Sequence, residues 1–267
     1  MSIVPIPTDV NISTLHPRVV DLFKKPQYAQ RTPEWYEVRK TLMTASESSS
    51  ALGIKPFNGF KGCPREDLLM KKLNVVPVVG MALQHGVKYE TEAAEMAMDI
   101  LGERMFEFGL IVHDKYPWLA ASPDGITARG FCVEIKCPLR RKIIPGEVPH
   151  HYYPQIQVQM EVCNVDLCYF IQYKPGFMND DGKPFIDIVV VERDRAWFEA
   201  RKNTLLGFYT ELMERKKTHI SVTEVASVID EIDDCLYEAE REPYQREYDS
   251  DCEPEVGALC VVEDDLY

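Results

Sequence analysis

The sequence predicts a mixed α/β fold, with one domain over residues 1–221 followed by an acidic extension. Segments with helical periodicity fill much of the first hundred residues, short β-branched and aromatic segments follow, and another helix with two strands comes next. No internal repeat is visible, and 267 residues are enough to bury a substantial core. No run of 18 apolar residues occurs, so no membrane-spanning helix is predicted.

Capping residues set the boundaries of the predicted elements. Thr32-Pro33 is typical of a helix start, Ser46 is interpreted as the cap of a short helix, and Gly102 ends a long one. Asp194 begins the last helix of the domain, and residues 1–31 are only weakly patterned. We predict helices at about residues 32–40, 46–53, 65–73, 81–101, 153–164 and 194–217. We predict strands at about residues 108–113, 119–123, 131–137, 167–173 and 185–192.

The negative charge of the chain is concentrated at its C-terminal end. The formal net charge is −13, and residues 222–267 contain 16 of the 43 acidic side chains but two of the 30 basic ones. The first 221 residues are therefore close to neutral. A neutral body can present a basic groove, so the overall acidity does not exclude nucleic acid as a partner.

The cysteine pattern predicts reduced thiols in an intracellular protein. None of the eight cysteines forms a C-x-x-C pair, and a chain of this size needs no disulfides to fold. The N-terminal segment lacks the basic and apolar blocks of a secretory signal. A metal cluster of Cys63 with Cys235, Cys252 and Cys260 is an alternative that their wide spacing disfavours. We therefore expect the cytoplasm or nucleus as the location.

The segment Ser122–Pro138, "SPDGITARGFCVEIKCP", carries the strongest sign of chemistry. Along its second strand Glu134 and Lys136 share one face, because side chains alternate. A turn symmetric about Arg129 would place Asp124 opposite Glu134, close enough for both carboxylates to hold one hard cation. The lysine beside them could orient or deprotonate a water, or stabilise charge on a phosphate. The alternative is an exposed strand with a surface salt bridge after an ordinary Pro-Asp-Gly turn.

Two further patterns concern helices. Glu90 is the single charge on the inward stripe of the predicted 81–101 helix, so it should meet a partner in a cleft, unless it lies at the margin of the stripe. Gln155 and Gln159 are four residues apart on one helical face, although glutamines there could simply be exposed. The stripe consists of Leu83, Val87, Glu90, Ala94, Ala97 and Leu101.

Taken together, four stretches resemble the lambda-exonuclease-like family, the YqaJ-type viral recombinases of the PD-(D/E)XK nuclease superfamily. They are "RTPEWYEVRKTLMTASES", "GVKYETEA", "SPDG…VEIKCP" and "YYPQIQVQM", and the resemblance covers about residues 31–192. Relatives occur in phages and large DNA viruses. The resemblance implies a restriction-endonuclease-like core, with a mixed central sheet flanked by helices. It also implies digestion of one strand of duplex DNA from its 5′ end.

The resemblance assigns roles to individual residues. Asp124 and Glu134 match the metal-binding carboxylates, together with the backbone carbonyl of Ile135, and Lys136 matches the catalytic lysine. Glu90 matches the helical glutamate beside a second metal ion. Gln155 matches a glutamine that supports the active site.

Three residues match the family's site for a terminal 5′-phosphate, namely Arg39, Ser46 and Ser122. A fixed guanidinium charge and a helix start both favour an anion, which makes this role physically reasonable. Without the resemblance, Ser46 would be read as a helix cap and Arg39 as a surface charge. The short stretch "LRRKIIPGEVPHH" and the acidic tail depart from the family pattern, so the DNA-guiding loops and the oligomeric state are not predicted.

The predicted function is a metal-dependent exonuclease on linear double-stranded DNA, acting 5′ to 3′ in viral DNA recombination, repair or replication. Two Mg²⁺ ions, with Mn²⁺ as a substitute, are the expected cofactors, because the candidate ligands are oxygens and no His or Cys cluster indicates zinc. The expected partners are DNA ends, with a single-strand-annealing protein or further copies of the chain as additional candidates and no membrane. The alternatives are a structure- or site-specific endonuclease and a module that binds DNA ends without cutting them.

The acidic extension divides into two predicted parts. Residues 222–240 carry apolar side chains at helical spacing and predict an amphipathic helix packed on the domain. Residues 241–267 have few apolar side chains and predict disorder. This tail either keeps the protein soluble, competes with DNA for the basic groove, or docks an annealing partner.

If the tail competes with DNA, removing residues 241–267 will tighten DNA binding at low salt and change it little at high salt, because such competition is electrostatic. DNA affinity of the full and truncated chains at two ionic strengths measures this. Equal affinities at both would leave only the solubilising and docking roles.

Overall fold

The computed structural model describes residues 2–73, 81–179 and 182–237. Its described helices are α1 Pro17–Lys24, α2 Pro33–Thr41, α3 Ser48–Ala51, α4 Pro64–Lys72, α5 Met81–Leu101, α6 Tyr153–Cys163 and α7 Arg195–Tyr237. Its described strands are β1 Ser2–Ile3, β2 Pro26–Gln27, β3 Met43–Thr44, β4 Met105–Phe106, β5 Ile111–Val112, β6 Leu119–Ala121, β7 Gly125–Thr127, β8 Cys132–Lys136, β9 Leu167–Met178 and β10 Pro184–Glu192.

The largest sheet is mixed, as predicted, and has the strand order β10-β9-β8-β7-β4. The β8 and β9 strands pair in parallel through α6, whereas the other neighbours in this sheet pair antiparallel. A smaller sheet has the order β3-β6-β5, and β1 pairs with β2. In this arrangement β8 lies in the middle of the larger sheet, with a paired strand on each side.

Helices cover both faces of the larger sheet, because alternating side chains of β8 point to opposite sides. Val133 and Ile135 pack with Ala93 and Ala97 of α5 in one apolar cluster. Cys132 belongs to a second and larger cluster, which includes α6, α1 and the first turns of α7. The sheet is thus sandwiched between two apolar layers, and its central strand has no face in contact with solvent.

The weakly patterned N-terminal segment is structured, which the sequence did not indicate. The eight residues of α1 begin after His16, whose Nδ1 accepts a hydrogen bond from the amide of Arg18. Val19, Leu22 and Phe23 are buried in the larger core cluster. A helix of two turns gives too short a periodic signal to stand out, and most of its stability comes from tertiary contacts.

Three sequence-based expectations are corrected. Thr44, not Ser46, precedes the first turn after β3, because the Glu47 carboxylate three residues on accepts the Thr44 amide at 2.9 Å. Val87 is 43% exposed, and the buried stripe of α5 passes through Ala93 instead, because small alanines allow the helix to lie close to the sheet. The helix predicted to end near Lys217 continues to Tyr237.

The C-terminal part of the chain is described only as far as this helix. The described residues up to Leu212 belong to one compact unit, and helix residues from Met213 onward belong to another. Residues 222–237 therefore continue α7 rather than forming a separate helix, and their packing stays a prediction. The predicted disordered tail, residues 241–267, lies outside the described residues. Within the described ranges, no helix combines the length and apolar character that a bilayer crossing requires.

The N-terminal segment meets the sheets at Gly109, where the close approach excludes a side chain. The Gly109 amide donates to Gln27 Oε1 at 2.7 Å, and a Cβ on Gly109 would lie 2.2 Å from the Tyr28 carbonyl oxygen. We expect Gly109→Ala to lower the free energy of unfolding by about 1–3 kcal/mol, because backbone must move to admit the methyl group.

The matched control is Gly207→Ala in α7, where nothing lies within 4 Å of the added Cβ. This variant should be stabilised by about 0.5–1 kcal/mol, since alanine favours a helix interior over glycine. Urea denaturation of both variants measures the difference. Equal stability of the two variants would show that the Tyr28–Gly109 contact imposes no constraint.

Candidate active site

The central position of β8 buries both charged residues of the hairpin. Glu134 is 2% exposed and Lys136 7% exposed, although each carries a formal charge. A charge removed from water needs close partners, because its desolvation costs several kcal/mol. The alternative of an exposed strand with a surface salt bridge is therefore wrong for this hairpin.

Glu134 is held by side chains from two directions. Gln155 and Gln159 of α6 donate from Nε2 to Oε1 and Oε2 at 2.6 and 2.5 Å, and Lys136 Nζ lies 2.8 Å from Oε1. The two glutamines are one helical turn apart, so a single face of α6 reaches both oxygens. Gln157 points elsewhere, accepting the Asp194 amide and donating to the Glu192 carbonyl. Gln155 and Gln159 share one helical face, as predicted, and the alternative that they lie exposed on the surface is wrong.

Asp124 lies beside β8, as the predicted hairpin symmetry requires. Gly125 pairs with Val133 and Ile126 with Cys132, the register expected for a turn centred on Arg129. Asp124 Oδ2 accepts the Ile135 amide at 2.6 Å. Burial raises the pKa of Asp124, and the Glu134 and Glu90 carboxylates raise it further while Lys136 opposes them. The site therefore gathers negative charge that favours a cation.

Glu90 has a partner that the sequence did not identify. Arg31 donates from Nη2 to both Glu90 oxygens at 2.9 and 2.8 Å. The backbone of Arg31 has φ +63°, in the left-handed region that non-glycine residues rarely adopt. Burial raises the pKa of Glu90, Arg31 acts to lower it, and Glu134 raises it. Glu90 is half-buried at the margin of the stripe, and the charged partner that the sequence left unspecified is Arg31.

Lys136 is a stable cation in this setting. Burial acts to lower its pKa, but the charges of Glu134, Tyr152 and Asp124 outweigh burial and raise the pKa above its usual value. Its Nζ also lies 4.9 Å from the centre of the Tyr152 ring. A lysine that keeps its proton donates hydrogen bonds and stabilises negative charge, whereas it is a poor proton acceptor.

A second group of side chains brings together the three residues predicted to bind a phosphate. Arg39 Nη2 donates to Ser46 Oγ at 3.1 Å, and its guanidinium lies 4.2 Å from the centre of the Trp35 ring. Trp35 Nε1 in turn donates to Ser122 Oγ at 3.3 Å. Trp35 therefore connects α2 to the hairpin. Burial lowers the pKa of Arg39, and Glu47 acts to raise it.

Residues 34–166 match the profile of the YqaJ-like viral recombinase domain. This span includes the carboxylates, Lys136, both glutamines, and Arg39 with its neighbours. Residues 34–166 are a YqaJ-like viral recombinase domain.

In addition to this profile match, two viral proteins are similar to the chain in sequence. "Uncharacterized protein R354" of Acanthamoeba polyphaga mimivirus is 32% identical over 174 residues, which cover 58% of this chain and 31% of that protein. "Protein D345L" of African swine fever virus is 28% identical over 167 residues, covering 52% of this chain and 47% of that protein. The chain thus spans less than half the length of either relative.

The structure is similar to an alkaline exonuclease (LHK-Exo) from Laribacter hongkongensis. The TM-score is 0.59 at 25% identity, and the likeness covers 74% of this chain and all of the other. A structure of that enzyme in complex with dAMP gives a TM-score of 0.61 at the same identity and coverage. The predicted nuclease fold of the YqaJ-like domain, with a mixed sheet flanked by helices, is confirmed by this likeness.

The donor atoms of the YqaJ-like site suit a hard divalent cation. Asp124, Glu134 and Glu90 offer carboxylate oxygens, which are the ligands that Mg²⁺ prefers. In the described part of the chain, no three His, Cys, Asp or Glu side chains are close enough together to hold one ion. A site here would therefore combine carboxylate pairs with backbone oxygen or water. The Ile135 amide is bonded to Asp124, and its carbonyl as a ligand stays a prediction.

Two residues that touch the predicted ones have no strong local signal in the sequence. Arg31 lies in a weakly patterned segment, and Trp35 looks like an ordinary helix residue. Gln159 shares the predicted face of Gln155, but the sequence does not indicate its hydrogen bond to Glu134. The predicted residues divide into two groups, Glu90 with the hairpin triad and Gln155, and Arg39 with Ser46 and Ser122. Ser122 and Asp124, which belong to different groups, are separated by Pro123 alone.

Proposed function

We propose that this protein is a metal-dependent DNA exonuclease that hydrolyses phosphodiester bonds of linear double-stranded DNA from the 5′ end. The observation that carries the proposal is the buried arrangement of Asp124, Glu134 and Lys136 beside the Arg39 group, which consists of Arg39, Ser46, Trp35 and Ser122. Ser122 of this group is two residues along the chain from Asp124. The likeness to an alkaline exonuclease over its full length supports nuclease chemistry. That enzyme was crystallised with dAMP, a nucleoside monophosphate, which supports a nucleotide-binding site on this fold.

The carboxylates provide a preorganised site for catalysis. Two hydrogen bonds from glutamines orient Glu134, and the Ile135 amide orients Asp124, so neither carboxylate needs to reorganise during the reaction. Two Mg²⁺ ions, or Mn²⁺ in their place, would supply Lewis acidity and a nucleophilic hydroxide when bound. Lys136 would donate hydrogen bonds to the phosphate and stabilise the charge that develops on its oxygens.

The Arg39 group supports the 5′ polarity. A terminal phosphate carries more negative charge than an internal phosphodiester, so a guanidinium beside hydroxyl donors distinguishes a chain end from the chain interior. Arg39 is oriented by stacking on Trp35 and by its bond to Ser46. A site that grips a 5′-phosphate next to the carboxylates favours an exonuclease over an endonuclease.

We extend the proposal to viral DNA recombination, repair or replication, with DNA ends as the substrate. A single-strand-annealing protein that covers the exposed strand is a suitable partner, and a homo-oligomer is a suitable assembly. The viral relatives and the YqaJ-like recombinase domain support this role.

Incubation with linear duplexes labelled at either end, with and without Mg²⁺, tests the activity. We expect metal-dependent loss of nucleotides from the 5′ end, and loss of cleavage in Lys136→Ala and Glu134→Gln. DNA-end binding should survive Lys136→Ala. The matched control Glu107→Gln changes an exposed glutamate and should cleave normally. Thermal melting checks that each variant folds.

Other outcomes of this experiment contradict specific parts of the proposal. Cuts within a closed circular duplex would favour the endonuclease alternative. End binding without any metal-dependent cleavage would favour the non-cleaving module. Near-normal cleavage by either hairpin variant would remove the hairpin from the active site.

Arg39→Ala should weaken action on 5′-phosphorylated ends far more than on 5′-hydroxyl ends. The lost charge-assisted hydrogen bond is worth about 1.5–3 kcal/mol, which corresponds to about 10- to 150-fold. Comparing kcat/KM on the two substrates measures this, with Arg195→Ala, an exposed arginine of α7, as the control. An equal loss on both substrates would exclude Arg39 from a phosphate site.

A further inference from the structure

A buried ion pair lies directly behind the Arg39 group. Lys72, the last residue of α4, places its Nζ 2.7 and 2.8 Å from the two Glu47 oxygens. The same Nζ donates to the Arg39 carbonyl oxygen at 2.8 Å. The side chains of Lys72 and Glu47 are 4% and 11% exposed. Desolvation of the two charges offsets much of the free energy gained from such a buried ion pair, so its net contribution to stability is small.

The geometry shows how the charge of Glu47 is distributed. Glu47 accepts two bonds from Lys72 and one from the Thr44 amide. Burial acts to raise the pKa of Glu47, but Lys72 and Arg39 together lower it below its usual value. Arg39 therefore interacts electrostatically with the Glu47 carboxylate, whereas its guanidinium donates a hydrogen bond to the Ser46 hydroxyl. Lys72 and Arg39 thus both interact with the Glu47 carboxylate, and Lys72 is the one that donates hydrogen bonds to it.

The region around Glu47 also carries an excess of positive charge. Burial lowers the pKa of the neighbouring Lys71 to about 8, Glu47 acts to raise it, and Arg39 and Lys72 lower it further. In this poorly solvated region, three basic side chains therefore surround one carboxylate, that of Glu47. The basic residues are Arg39, Lys71 and Lys72. Such an environment favours an incoming anion, provided that the carboxylate does not neutralise the guanidinium meant to bind it.

We propose that Lys72 is a positioning residue that occupies Glu47 and so prevents it from pairing with Arg39. The guanidinium then stays available to a terminal phosphate, while Glu47 keeps its bond to the Thr44 amide and so shapes the turn that presents Ser46. This inference rests on the proposed function, because it assumes that Arg39 binds the 5′-phosphate. It assigns part of the selectivity for phosphorylated ends to the buried Lys72–Glu47 pair, in addition to Arg39 itself.

The test measures binding of duplexes with 5′-phosphate or 5′-hydroxyl ends to the full-length protein by fluorescence anisotropy in EDTA, where no cleavage intervenes. Lys72→Met removes the competing cation, so Glu47 should turn to Arg39 and the preference for 5′-phosphate should fall by about tenfold or more. The double variant Lys72→Met/Glu47→Gln should recover the preference, because glutamine accepts from the Thr44 amide but carries no charge. Lys72→Arg should retain it.

A matched control separates this effect from general loss of a buried ion pair. Glu161→Gln weakens the buried Arg193–Glu161 pair, 2.5 Å between its closest atoms, on the α6 and β10 side of the domain. This variant should lower thermal stability without changing the preference for 5′-phosphate.

Three results would overturn the inference. One is that Lys72→Met loses affinity equally for 5′-phosphate and 5′-hydroxyl ends. Another is that a folded double variant does not recover the preference for 5′-phosphate. Either result would contradict the inference while leaving the Arg39 assignment intact. If Lys72→Met does not fold, a folded double variant without the preference is equally contradictory. If the wild-type protein binds both ends equally, the proposed phosphate site fails and the inference falls with it.

Discussion

The carboxylate of Glu134 is removed from water in the middle of a sheet, and the elements around it lie where they can compensate that charge. An unpaired carboxylate at this depth would destabilise the sheet, since its desolvation costs several kcal/mol. Gln155 and Gln159 reach its two oxygens from α6, and Lys136 reaches one oxygen from the same strand. The parallel crossover from β8 to β9 through α6 is therefore also what supplies the two amide donors.

The same physical logic applies at two other places in the domain. Glu90 is partly buried and takes the guanidinium of Arg31, and Glu47 is buried and takes the ammonium of Lys72. In each case the basic residue comes from a distant part of the sequence, so each pair holds two segments together. These pairs give little net stability, because the cost of desolvation offsets much of the attraction. Their value lies in orienting charged groups around a site.

The sequence was most informative where geometry is local. The hairpin register follows from the period of a strand and the symmetry of a turn, so the position of Asp124 beside β8 could be predicted from residues 122–138. The shared face of Gln155 and Gln159 follows from helical spacing in the same way. Both are confirmed, because β8 and α6 are regular elements whose local rules tertiary contacts do not override.

The sequence does not predict which charged residues pair across the tertiary structure. Nothing in the residues around Arg31 or Lys72 indicates which carboxylate each would meet 59 and 25 positions away. Val87 does not lie on the buried face of α5, because close packing of this helix on the sheet favours small residues such as Ala93 over larger apolar ones. At the turn after β3, Thr44 and Glu47 form the reciprocal capping pair in place of Ser46, and their spacing of three residues is a local signal for it.

The short link between Ser122 and Asp124 has a consequence for how the domain would measure its substrate. Pro123 restricts the backbone between them, and its carbonyl oxygen accepts a hydrogen bond from Gln30, so the link is braced at its centre. Two residues of chain span at most about 7 Å. Under the proposed function, this link fixes the distance along the chain between Ser122 of the phosphate site and Asp124 of the catalytic site. Under the proposed function, the size of each released product would be set by this covalent spacing and not by the sequence of the DNA.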